Sequence, residues 1–195
     1  MHVRRFLLAG FAAAVLAGAP AASASPPLPN SIAGVGDSIT RATDVCCWYG
    51  DHPAQSWSTG DGASDEILSH YERLLALNPN ISGHNYNDSR AGAKMRDADG
   101  QAQAAVAQQA AYVTILMGAN DVCTSAPSTM TSVADFRAQF TAAMNTLAAG
   151  LPAGAHVFVS SIPNTYQLWK LLHGNSTARC CTARASTGRS GPSTR

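Results

Sequence analysis

Three short runs rich in aliphatic and β-branched residues, at 31–36, 112–117 and 156–162, constrain this chain more than any other feature. The middle run, Tyr112-Val113-Thr114-Ile115-Leu116-Met117, is nearly all apolar, as expected of a central parallel strand covered on both faces. The stretches between the runs have helical periodicity. From 61 to 77, Ile67, Leu68, Tyr71, Leu74 and Leu75 fall on one stripe of a 3.6-residue period, and Asn78-Pro79-Asn80 ends it. A weak strand near 84–87 leads through a loop containing Gly92 into an Ala/Gln-rich helix over 97–110. Ser132 with Asp135 three residues later predicts a capping box for a helix carrying Val133, Phe136, Phe140, Met144 and Leu147, closing at Gly150 with Pro152 beyond. A third buried strand is expected over 156–162. Strands alternating with helices predict an α/β layer structure, doubly wound around a parallel sheet.

The two ends of the chain lie outside this pattern. His2, Arg4 and Arg5, an apolar stretch over 6–16 and Ala22-Ser23-Ala24 read as a secretory signal with cleavage near Ala24, so the product is expected to be exported. The apolar stretch falls short of the roughly 20 residues a bilayer-spanning helix needs, and no stable membrane insertion is expected. From Arg179 onward the chain has no acidic, aromatic or large aliphatic residue. Such a segment cannot bury enough apolar surface to offset its ordering, which predicts disorder over 179–195. The abrupt change of composition reads as a frame change or truncation that leaves the sheet incomplete at its C-terminal side. One domain over 25–178 remains. A formal net charge of +1 provides no basic face and argues against a nucleic-acid partner. Five cysteines in an oxidising compartment leave at least one unpaired, with the pairing open. Neither Cys46-Cys47 nor Cys180-Cys181 has the spacing of a zinc site, and no metal is expected.

In parallel α/β sheets ligands bind beyond the carboxyl ends of the strands. Three polar or glycine clusters fall there: Gly36-Asp37-Ser38, the segment 87–92, and Gly118-Ala119-Asn120-Asp121. A serine at a strand-to-loop turn has its hydroxyl exposed, and neighbouring backbone N–H groups can face a developing oxyanion. Each residue also has a plainer reading. Asp37 orders the turn, Gly92 supplies a positive φ, and Asn120 caps a loop. The serine is not part of a G-x-S-x-G elbow, because Ile39 and Thr40 follow Ser38.

The segments GVGDSIT (34–40), NDSRAGAKM (87–95) and GAND (118–121) resemble, in order, three sequence blocks of the SGNH/GDSL serine hydrolases. The likeness extends over 31–172 and is nearest to exported actinobacterial members. It implies a three-layer, flavodoxin-like fold with a five-stranded parallel sheet. It implies hydrolysis of esters or related acyl groups without a cofactor; a small-molecule ester, a lipid and an acylated carbohydrate remain open as substrates, and a monomer is expected. It further implies Ser38 as catalytic nucleophile, and an oxyanion hole made by the backbone N–H groups of Ser38 and Gly92 and the side chain of Asn120. The family's base is a histidine in a D-x-x-H block near the C-terminus. This sequence contains no D-x-x-H, and Asp135 is its last carboxylate residue.

No other histidine is a ready substitute. A strand of six residues would put His156 about 20 Å from the catalytic edge. His173 has Lys170 where the family has Asp, His70 and His84 suit packed or solvated positions, and His52 lies in the loop after Ser38. The general base is therefore unassigned, and activated esters are expected to turn over barely or not at all. Two other readings remain: a carbohydrate- or acyl-binding protein using Trp48, Tyr49 and Trp57, and an inactive fragment.

Overall fold

A computed structural model describes residues 27–46, 48–63 and 67–175. The expected secretory signal at 1–24 and the expected tail at 179–195 lie outside the described residues. The rest forms an α/β structure around four parallel strands in the order β2-β1-β3-β4. These are β1 (Ile32–Gly36), β2 (Asn85–Asn87), β3 (Tyr112–Leu116) and β4 (His156–Val159). Among the described residues the sheet thus holds four of the five strands the resemblance implies. The helices are α1 (Ser38–Arg41), α2 (His70–Leu77), α3 (Ala98–Ala107), α4 (Ala119–Val122), α5 (Val133–Gly150) and α6 (Thr165–Leu172).

The pleat of the central strands sorts the core into two layers. Ala33, Val35, Val113 and Ile115 face α3 and α5, where Ala98, Ala102, Ala105, Ala143 and Leu147 complete the larger cluster. Ile32 and Tyr112 face the other way, toward Tyr71, Leu74 and Leu75 of α2 and Ile81. Helices therefore cover both faces of the sheet, as the three-layer reading expected. Small side chains let the helices approach closely: a Cβ on Gly150 would lie 2.4 Å from Val106.

Local chemistry moves several predicted boundaries. Helix α2 starts at His70 rather than near 61, because Ser69 and Glu72 form a capping box. The Ser69 hydroxyl accepts from the Glu72 amide at 3.0 Å, and the Glu72 carboxylate accepts from the Ser69 amide at 2.8 Å. Ile67 and Leu68 then precede the helix and are exposed, off the predicted stripe. At α5 the Ser132 hydroxyl accepts from the Asp135 amide at 3.1 Å, but the Asp135 carboxylate bonds that hydroxyl and not the Ser132 amide. The cap is present without the reciprocal bond of a full box. Strand β4 ends at Val159, not 162, and is an edge strand whose Phe158 and Val159 are exposed. Among the described residues β3 is its one strand neighbour, and the exposure of Phe158 and Val159 departs from the cover on both faces expected for a buried strand. Helix α6 was not anticipated; its start is fixed by Asn164, whose side chain accepts from the Gln167 amide at 2.9 Å.

Candidate active site

Three loops leave the carboxyl ends of β1, β2 and β3. The first turns at once from strand to helix. Asp37 is the N-cap of α1, accepting from the Ile39 amide at 2.9 Å, which is the turn-ordering role expected of it. Burial pushes its carboxyl above the ordinary range, the Ile39 amide opposes this, and the nearby Asp121 adds to the rise. Ser38 is the first residue of α1 and is half-buried. Gly36, just before this turn, has no room for a side chain: a Cβ would lie 2.2 Å from Thr40 Oγ1 and 2.7 Å from the Leu116 carbonyl.

The second loop crosses the end of β1. The Asp88 amide donates to the Gly34 carbonyl at 3.0 Å and the Arg90 amide to the Gly36 carbonyl at 3.2 Å. Asn87 ties the loop to α1, its amide donating to the Thr40 carbonyl at 3.1 Å and to Thr59 Oγ1 at 2.9 Å. Arg41 returns the link, donating to the Asn87 carbonyl at 3.1 Å. Gly92 follows with φ 77°, exposed, with no atom within 4 Å of where a Cβ would stand. It is the left-handed conformation that glycine adopts freely, and the surrounding space is open.

The third loop is locked to the second. Gly118 has φ 127°, and a Cβ there would lie 2.6 Å from Ile162. The Asn120 amide donates to the carbonyl of Ala93, next to Gly92, at 2.9 Å. One amide hydrogen is thereby engaged, and an Asn carboxamide has a second. The buried Asp121 accepts from the Met95 amide at 2.9 Å and from the Thr131 hydroxyl at 2.6 Å. Ser38 at the start of α1, Gly92 on the second loop and Asn120 in α4 thus sit at the carboxyl end of the sheet, on segments joined by hydrogen bonds. The locking residues Asn87 and Asp121 escaped sequence reasoning as positioning groups, although both lie within the quoted blocks.

The histidines are elsewhere or engaged. His156 opens β4 at the opposite edge, and His84 precedes β2 on that same side. His52 Nε2 bonds the Trp48 carbonyl at 2.9 Å. His70 Nδ1 bonds the Tyr112 hydroxyl at 2.9 Å, and burial holds its pKa below the usual range, with Arg73 adding to the fall. His173 Nδ1 bonds the Trp169 and Lys170 carbonyls, both at 3.1 Å. Among the described residues none of these rings bonds Ser38, and no group of three His, Cys, Asp or Glu is placed to hold a metal ion.

A parallel sheet between helix layers, with a serine, a glycine and an asparagine at the carboxyl ends of its strands, defines an α/β protein whose candidate site is built from strand-end segments. The GDSL-like lipase/acylhydrolase family matches residues 32–184, and the chain belongs to that family. Its function is of the lipase/acylhydrolase type, on ester substrates. Among curated proteins the chain has no match. No described helix is long and apolar enough to cross a membrane.

Proposed function

We propose that the chain is an exported ester hydrolase of actinobacterial type, with a catalytic domain over 25–178, acting through an acyl-enzyme on Ser38. The Ser38 oxygen attacks the ester carbonyl carbon, and the tetrahedral oxyanion is held by the Ser38 and Gly92 N–H groups and the Asn120 carboxamide. Collapse breaks the bond to the alcohol, which leaves with the serine proton. Water then releases the acid and restores the hydroxyl. The observation that carries this reading is the lock between the loops of Gly92 and Asn120, made by the Asn120–Ala93 and Asp121–Met95 bonds.

The 195-residue chain contains no D-x-x-H, so no family base takes the Ser38 proton. An oxyanion hole without its base retains about 10³ to 10⁴ over the uncatalysed rate and loses on the order of 10⁶ relative to a complete triad. Acylation by p-nitrophenyl acetate is therefore expected to be slow, to stop near one acetyl group per chain on Ser38, and to vanish in Ser38→Ala. Asn120→Ala is expected to slow it by about 10²-fold or more. Acylation that persists in Ser38→Ala would remove the nucleophile assignment; rapid turnover abolished by that variant would remove the claim of impairment. The exposed Trp48 and Tyr49 in the loop after α1 favour a second reading, a non-catalytic glycan- or acyl-binding crevice. Glycan binding that survives Ser38→Ala without any turnover is its signature.

A further inference from the structure

We propose that Gln101 is the positioning residue of the Ser38 turn, its carboxamide standing in for a missing rung of the sheet at Gly36. The inference rests on the reading of Ser38 as nucleophile. Strand β2 pairs with β1 only as far as Gly34 opposite Asn87, whereas β3 runs alongside β1 to Gly36 opposite Leu116. Beyond Asn87 the chain still sends the Asp88 amide to the Gly34 carbonyl and the Arg90 amide to the Gly36 carbonyl. A regular parallel ladder has one bond between those two, from the Gly36 amide to the Asp88 carbonyl.

That bond is replaced. The Gly36 amide donates to Gln101 Oε1 at 2.7 Å, and Gln101 Nε2 donates to the Gly36 carbonyl at 3.0 Å. A carboxamide has the donor and acceptor of a peptide group, so Gln101 matches both polar groups of Gly36 at once. Its residue is 9% exposed, within α3 and 65 positions along the chain. The substitution has a geometric result. The chain after Asn87 is tied to β1 through its Asp88 and Arg90 amides alone, and the Gly36 amide is held by the Gln101 side chain instead. Ser38 lies two residues beyond Gly36, and both its oxygen and its N–H are required at the same acyl carbonyl. Misplacement of a reacting group by about 1 Å can cost 10²-fold in rate. No other residue of similar size supplies both bonds: an ionised Glu lacks the donor, Met lacks both, and Asn is one methylene short.

The test uses the full chain with Gln101→Met, Gln101→Glu and Ser38→Ala. It follows acetylation of Ser38 by p-nitrophenyl acetate and, separately, hydrogen exchange at individual amides. Gln101→Met is expected to acylate about 10- to 100-fold more slowly. The amides from Gly36 to Ile39 should exchange faster while those of Ala33 and Val113 stay protected. Gln101→Glu keeps an acceptor for the Gly36 amide, and its exchange there is expected to lie between parent and Gln101→Met. Acylation within about two-fold of the parent, with Gly36 protection unchanged, would overturn the proposal. So would faster exchange across the whole sheet together, which marks a general core contact. Should the parent itself fail to acylate at Ser38, the catalytic reading fails. Selective exchange at Gly36 to Ile39 would then uphold the hold of Gln101 on the turn, and its absence would refute it.

Discussion

The two flanks of this sheet are built on different terms. Around β1, β2 and β3 side-chain bonds tie the strand-end segments and α3 to one another: Gln101 on Gly36, Asn87 on Thr40, Asn120 on Ala93, Asp121 on Met95. Around β4 and α6, Phe158, Val159, Ile162, Leu168 and Trp169 are exposed; the rings of α6 make local stacks, and Phe158 meets the rings of Trp57 and His70. The contrast locates where conformation is specified. Buried side-chain bonds with both partners satisfied fix one geometry, because a broken bond leaves an unpaired group in low dielectric. Apolar groups facing solvent impose no such choice. In the proposed mechanism the first flank needs close placement of a hydroxyl and three donors, and it is the one so tied.

The contrast predicts where substitutions hurt. Gly36→Ala should have the largest effect, since its methyl group would overlap Thr40 Oγ1 and the Leu116 carbonyl, and neither β3 nor the α1 turn has slack. Overpacking of this kind costs about 3 kcal/mol. Urea unfolding reads it, and a loss below about 1 kcal/mol would mean that the strand-end region yields more easily than its packing implies. Asp121→Ala comes next. It strands the Met95 amide and the Thr131 hydroxyl, at roughly 1 to 3 kcal/mol for an unsatisfied buried group. A loss of about 2 kcal/mol is expected, together with slower acylation of Ser38. Equal stability in the variant would show that the lock between the loops is ornamental.

How much of this was legible in the sequence depends on the range of the interaction. β1, β3, α5 and the general course of α3 follow from hydrophobic period and composition, which are local. The strand-end position of Ser38, Gly92 and Asn120 follows from the same pattern, since parallel strands put their carboxyl ends on one edge. The start of α2 was misread because Ile67 and Leu68 continue the helical stripe, although the Ser69–Glu72 cap overrides it. The exposure of β4 was missed because an apolar run looks the same at an edge as at the centre of a sheet. Gln101 was invisible for another reason: within an Ala/Gln-rich helix nothing local separates it from Gln103 or Gln108, and its partner is 65 residues away.

A smaller effect tests the electrostatics of the ordered flank. Burial raises the pKa of Asp88 above 3.8, against the opposing Gln108 amide and Arg41. Its Oδ1 accepts from Gln108 Nε2 at 2.8 Å, while Oδ2 and Gln108 Oε1 are buried without partners. The folded protein therefore holds this proton to higher pH than the unfolded chain does. Its contribution is fully present below the unfolded value, near 3.8, and is lost as pH rises through the raised folded value. Asp37 has the same sign. Asp51 has the opposite one, since the Thr43 hydroxyl and Arg41 lower its pKa; its contribution is present above 3.8 and is lost as pH falls. Asp88→Asn should gain about 1 kcal/mol over the parent at neutral pH, with little difference below 3.8. Urea midpoints at both pH values check it, and a variant weaker than the parent at neutral pH would show that the carboxylate is needed in charged form.

The smallest effect belongs to the open flank. Trp169 is 52% exposed and stacks on His173 with ring centroids 4.5 Å apart and on Tyr166 at 6.0 Å. Stacking between half-exposed rings on one helix surface is worth well under the full aromatic increment, so Trp169→Ala should cost about 0.5 kcal/mol or less. The larger consequence lies in solution behaviour. Tyr166, Leu168, Trp169 and Leu171 place several large apolar side chains in solvent on one short helix, and exposed apolar surface favours association. Trp169→Ala should therefore raise the concentration at which the protein stays dispersed, as light scattering measures, while leaving Ser38 acylation unchanged. A stability loss above about 2 kcal/mol would mean that α6 is held far more firmly than its exposure implies, and the division between an ordered and an open flank would have to be redrawn.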